Sequence, residues 1–95
     1  MNEPDLFMTR IEKIRAALQA LAPERLEIED ESHLHAGHAG ASSGRGHFRV
    51  EIVSAAFVGE LPLARHRRVH AALGELMRTD IHALSLRART PEEAD

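Results

Sequence analysis

The chain has 95 residues, 43% of them hydrophobic and 28% charged, which suits one ordinary globular core and leaves little room for a deep substrate pocket. Phe occurs three times and Trp and Tyr not at all, so stacking platforms for bases are scarce, and a net charge of −3 gives no bulk attraction to nucleic acid or to anionic membranes. The lack of Cys removes disulfides, thiolate metal sites and thiol chemistry from the chain's own repertoire, and it fits a reducing, cytoplasmic setting.

In chain order, the acidic stretch Met1-Asn2-Glu3-Pro4-Asp5 lacks the apolar core of a signal peptide, and no apolar run approaches the ~20 residues of a membrane span; no membrane association is expected. Ile11, Ile14, Leu18 and Leu21 fall at helical spacing and predict a helix over 9–21, with Thr9 and Glu12 placed as a capping box. An earlier start near Pro4, adding Leu6 and Phe7, is equally legible, and Pro23 ends the element by excluding Ala22 from the helical region. Leu26 and Ile28 alternate with Glu27 and Glu29, predicting a half-buried strand over 25–30.

A loop then runs over 31–46, with four Gly, three Ser and three His, and loops this long inside a small domain are either functional or disordered. Phe48, Val50 and Ile52 predict one face of a strand over 47–54, and Phe57-Val58-Gly59-Glu60 a turn. Pro62 suits the first turn of a helix over 62–78, whose apolar stripe reads Leu63, Val69, Leu73, Leu76 and Met77. A third strand is expected over 81–88. Thr90-Pro91-Glu92-Glu93 then looks like a helix start that the chain leaves undeveloped.

The order α-β-β-α-β predicts an α+β (α/β) fold in a single domain with its core at about 9–90: a three-stranded mixed sheet with both helices on one face. The first two strands should be antiparallel. The second and third, joined through a helix, should be parallel. The start of strand three then lies at the end of the sheet where the long loop meets strand two, and His82 comes near His33, His35, His38 and His47.

His33-x-His35-x-x-His38 has the spacing of metal ligands, and imidazole serves zinc, copper, iron or nickel. The bland alternative is a polar, solvated loop. His82, among Ile81, Ala83 and Leu84, is either a packed histidine or a ligand. His66 and His70 read as packing residues on the stripe of the second helix. Arg65, Arg67 and Arg68 are candidate contacts for phosphates or for an acidic partner, against the alternative of a solvated helix face. Glu27, Glu29, Asp30 and Glu31 read as a solvated strand edge rather than paired catalytic carboxylates. No fixed base accompanies Ser42 and Ser43, and no Gly-Lys-Ser/Thr follows the loop glycines, so neither a catalytic triad nor a phosphate loop is indicated.

Taken together, Asp30-Glu31-Ser32, His47-Phe48-Arg49-Val50 with Ile52-Val53-Ser54, Phe57-x-Gly59, Arg65-His66-Arg67-x-Val69, Ile81-His82-Ala83-Leu84 and Thr90-Pro91-Glu92 resemble the BolA family over most of the chain, about Thr9 to Glu92. The resemblance implies a fold similar to type II KH domains, no enzymatic activity, and no small-molecule substrate. It also implies a monothiol glutaredoxin as partner and a [2Fe–2S] cluster shared with that protein and its glutathione, with none expected in the isolated chain. Carried onto these residues, the ligand from the third strand is His82. The loop ligand falls on His35 when counted forward from Glu31-Ser32, and on His38 when counted back from His47-Phe48, with His35 preferred. Without thiolates of its own, such a chain should need its partner to hold a cluster. The same resemblance carries a second expectation, DNA binding as a transcriptional regulator through the Arg65–Arg68 helix. Against it stand the turn Gly59-Glu60-Leu61-Pro62, which lacks the KH Gly-x-x-Gly clamp, and the net charge. A plain zinc or copper site in the His loop is a third reading.

Overall fold

Thr9 starts the first helix as expected: its hydroxyl accepts from the Glu12 amide (3.1 Å) and its own amide donates to the Glu12 carboxylate (2.8 Å), closing the capping box. The computed structural model describes residues 8–35 and 44–95, with Leu34 and His35 as backbone only. The earlier helix start at Leu6 and Phe7 lies outside the described residues. Helix α1 spans Arg10–Leu18 and tightens into a 3₁₀ turn, Gln19–Leu21, that ends on Ala22 in the left-handed region (φ 48°) ahead of Pro23.

Strand β1 (Arg25–Asp30) pairs antiparallel with β2 (Gly46–Val53), and β2 pairs parallel with β3 (Ile81–Arg89), in the order β1-β2-β3. The α+β architecture and the strand directions expected from the element order are therefore present. Ser54 is a cap rather than a strand residue. Its hydroxyl accepts from the Ala56 amide (3.0 Å) and donates to the Leu21 carbonyl (2.6 Å), tying the turn Ala55–Phe57 to the end of the first helix.

The second helix is shorter than the predicted 62–78. Helix α2 covers Pro62–Leu73, Gly74 breaks it at φ 54°, and a separate turn, α3 (Leu76–Thr79), leads into β3. A positive φ costs glycine little and most residues more, so the break is written at Gly74. The C-terminal helix start does develop: α4 (Pro91–Ala94) forms one turn closed by a capping box between Thr90 and Glu93.

One face of the sheet carries the helices. Phe48, Val50 and Ile52 of β2 are buried with Ile14 and Leu18 of α1, Val69 and Leu73 of α2, Phe57 and Ile81, and Leu26, Ile28, Leu84, Leu86 and Ala88 pack around them. Of the apolar stripe read in the sequence, Val69 and Leu73 are buried and Leu76 and Met77 pack against the core, but its first member does not. Leu63 is 62% exposed, and His66 and His70, expected to pack, are exposed as well, because α2 meets the core through Val69 and Leu73.

Candidate functional site

The start of β3 is irregular, and the irregularity is written in its apolar residues. Leu84, Leu86 and Ala88 keep the two-residue alternation of a strand, but Ile81, also in the core, stands three residues before Leu84. A strand can bury both only if one residue is inserted between them. The pairing shows where. Gly46 lies opposite Ile81 and His47 opposite Ala83, so His82 is the extra residue of a bulge. Bulges re-aim side chains, and His82 is exposed next to the buried Ile81.

Its neighbours come from the start of β2 and the end of the long loop. The His47 ring lies 5.2 Å from the His82 ring, tilted by 47°. Arg45 reaches His82 with Nη2 at 3.3 Å from Nδ1, while its Nη1 donates to the Arg78 carbonyl at the end of α3 (3.4 Å). Between them Gly46 donates its amide to the Asp80 carbonyl (2.9 Å). This glycine is required by space. A Cβ at position 46 would stand 2.6 Å from the Phe48 ring and 2.8 Å from the Ser32 hydroxyl.

The beginning of the loop is lashed to the same place. The Glu31 amide donates to the His47 carbonyl (2.8 Å), the His47 amide donates to the Ser32 hydroxyl (3.0 Å), and the Ser32 amide donates to the Asp30 carboxylate (2.9 Å). The 3₁₀ turn Ser32–His35 thus leaves the sheet next to His47, with His33 exposed. Burial works against the Asp30 carboxylate, but hydrogen bonds from Ser32 outweigh it and hold its pKa below the ordinary value.

Asp80 anchors the other side. It is 6% exposed and receives Lys13 Nζ (3.1 Å), Arg10 Nε (3.3 Å) and the Thr79 hydroxyl (2.6 Å). Burial raises its pKa, and the bonds from Thr79 and Lys13 more than reverse that, so it is held low. Arg10 also donates to the Gly44 carbonyl (2.5 Å), which binds the end of the loop to α1.

The predicted site residues therefore fall into three groups. His82 meets His47 and Arg45 at the bulge. His35 closes the 3₁₀ turn, its side chain lying outside the described residues, and His38 lies outside them altogether. The arginines divide. Arg65 turns inward, 13% exposed at its side chain, donating to the Glu60 and Ala88 carbonyls (2.7 and 3.1 Å) and to both carboxylate oxygens of Glu93 (2.6 and 3.1 Å). Arg68 pairs with Glu60 at 2.6 Å, and Arg67 is exposed. Among the described residues no group of three or more His, Asp or Glu is arranged to hold a metal ion. Arg45, Ser32 and Asp80 were not legible as site residues, since each acts through a partner distant in sequence. Gly46 could have been found from its place two residues before Phe48 on the buried face of a strand.

Comparison with known proteins agrees with this architecture. The family model for BolA-like protein matches residues 18–93. BolA-like protein 1 from Mus musculus is 51% identical over 81 residues, 84% of this chain and 57% of that protein, so the chain matches little more than half of that relative's length. The DNA-binding transcriptional regulator BolA of Escherichia coli (strain K12) is 45% identical over 82 residues, 86% of this chain and 72% of that protein. Among solved structures, BolA1 from Arabidopsis thaliana superposes with a TM-score of 0.79 at 39% identity, covering 94% of this chain and all of that one (100%).

Proposed function

The chain belongs to the BolA family, and from that premise we propose that it is a non-enzymatic adaptor that binds a monothiol glutaredoxin and shares a [2Fe–2S] cluster with it. The observation that carries the reading is the bulge at His82. It exposes the His82 imidazole at the sheet end where the His-rich loop begins and ends. An imidazole presented there by a chain without thiolates suits a donor set completed by another molecule. The donors available to this chain fit that role: His82 from β3 and His35 from the loop, with His38 the alternative, and the thiolates from glutaredoxin and glutathione. When bound, the cluster supplies an exchangeable iron–sulfur unit. The chain's part is to present histidines, whose ligation requires the neutral ring and so weakens in acid. A cytoplasm kept reducing by glutathione is the compartment this reading assigns.

Co-expression with a monothiol glutaredoxin tests it. A coloured heterodimer is expected, and His82→Ala should change its visible spectrum and shorten the lifetime of the colour. An unchanged spectrum and lifetime in His82→Ala would remove His82 from the ligand set, and no complex at all would overturn the reading.

The name of the Escherichia coli relative supports a second reading, DNA binding through α2. Of the three arginines proposed for it, Arg65 and Arg68 are engaged with Glu93 and Glu60. Retention in a gel shift that weakens steeply with salt would favour this reading over the first.

A further inference from the structure

We propose that Arg45 is a positioning residue for His82 that selects what the histidine accepts: it holds the imidazole against a bare divalent cation and yields it to a metal that arrives with anionic ligands. The proposal deepens the shared-cluster reading and rests on it for the identity of the anionic complex.

Both sides of Arg45 are pinned. The Gly44 carbonyl accepts from Arg10 and the Gly46 amide donates to Asp80. The guanidinium also donates to the Arg78 carbonyl, among the last carbonyls of α3, where cations are favoured. The backbone on either side therefore places Arg45 within reach of His82.

The chemistry of the contact is one-directional. A guanidinium has five N–H donors and no acceptor and keeps its charge, so His82 Nδ1 must accept with its lone pair. A neutral ring in that arrangement carries its proton on Nε2. A metal ion needs a lone pair, and both nitrogens are then engaged. Ligation at Nδ1 displaces Arg45 directly. Ligation at Nε2 moves the ring proton to Nδ1, where it faces the N–H groups of the guanidinium, and again Arg45 must leave. Release of Arg45 thus accompanies ligation at either nitrogen.

The released charge decides which metal is welcome. A bare dication at His82 stays about 6 Å from the displaced guanidinium, whose charge is permanent, and at this solvent-exposed place, where the dielectric is close to that of water, the repulsion weakens binding by about tenfold. A thiolate-ligated metal brings its own negative charge, and carboxylates carried by its ligands can pair with the freed guanidinium.

The test uses the isolated chain and zinc chloride, with His82 ring resonances followed by NMR well above the ordinary imidazole pKa. Arg45→Gln should bind zinc about tenfold more tightly than the parent, and Arg45→Lys, which keeps the charge, should stay close to it. The gain should vanish when His82→Ala is added. In the metal-free protein, Arg45→Gln should also shift the His82 Nδ1 resonance. Zinc affinity unchanged by Arg45→Gln, or raised equally without His82, would overturn the proposal, as would an unmoved Nδ1 signal. These readouts need no glutaredoxin. If they come out as expected and no cluster-bearing complex forms with glutaredoxin, Arg45 keeps its role and the shared-cluster reading fails alone.

Discussion

Gly46 shows how narrow the tolerance is beside His82. The Phe48 ring that a Cβ would strike is 2% exposed and packed in the core, and the Ser32 hydroxyl on the other side is holding the His47 amide. Neither neighbour can give way without loosening the site. Gly46→Ala should destabilise the fold by about 1–3 kcal/mol, as overpacking in a core does, read as a lower denaturation midpoint. His82→Ala, at an exposed bulge, should stay within about 0.5 kcal/mol of the parent in the same measurement, so a loss of ligation there would not be a loss of folding. At this scale the sequence was half legible. The three-residue step from Ile81 to Leu84 marks the bulge for anyone who counts it, but the partner of His82 could not be counted. Arg45 stands 37 residues away.

At the scale of elements, α2 is the clearest lesson. Its expected stripe runs through Leu63, Val69, Leu73, Leu76 and Met77, and periodicity alone does not say where along the helix the core contact begins. The packing decides that: Val69 and Leu73 are buried, and Leu63, at the start of α2, is left in solvent. Leu73→Ala, at a side chain 2% exposed, should cost about 2–5 kcal/mol, whereas Leu63→Ala should cost no more than about 0.5 kcal/mol in parallel denaturant titrations. Equal losses at the two positions would mean that α2 docks in another rotation. The helix ends were more legible than the faces. The Thr9 and Thr90 capping boxes are local chemistry, formed within a few residues, and for that reason a short window of sequence carries them, whereas the break at Gly74 falls inside the single helix expected over 62–78.

Over the whole molecule, charge pairs fasten elements that the core alone leaves loose. Asp80 joins α1 to the start of β3, and Arg65 clasps α4 against α2 through Glu93. The bond from Arg65 and the Thr90 amide draw the Glu93 carboxyl down from 4.5 to about 2, and Asp80 and Asp30 are also held below the ordinary 3.8. A carboxylate whose folded pKa is depressed stabilises the fold in full above its unfolded pKa and loses that contribution as pH falls towards the folded value. Stability should therefore be level from neutrality down to about pH 5 and then decline between there and about pH 2, seen as a falling Tm. In Glu93→Gln the decline should be shallower, and an equally steep one would show that Glu93 does not contribute to it.

By itself the sequence determined the order of the elements, the directions of the strands, the helix caps, the lack of any thiol and the resemblance to the BolA family. These depend on neighbours within a few residues, on connection lengths, or on the residues themselves. Only the tertiary structure decided that His82 stands out on a bulge, that His66 and His70 face solvent, that Arg65 is drawn inward, and that Arg45 lies against the imidazole. Each of those depends on cross-strand register or on a pairing between residues far apart in the chain, and the register is set by how the core packs.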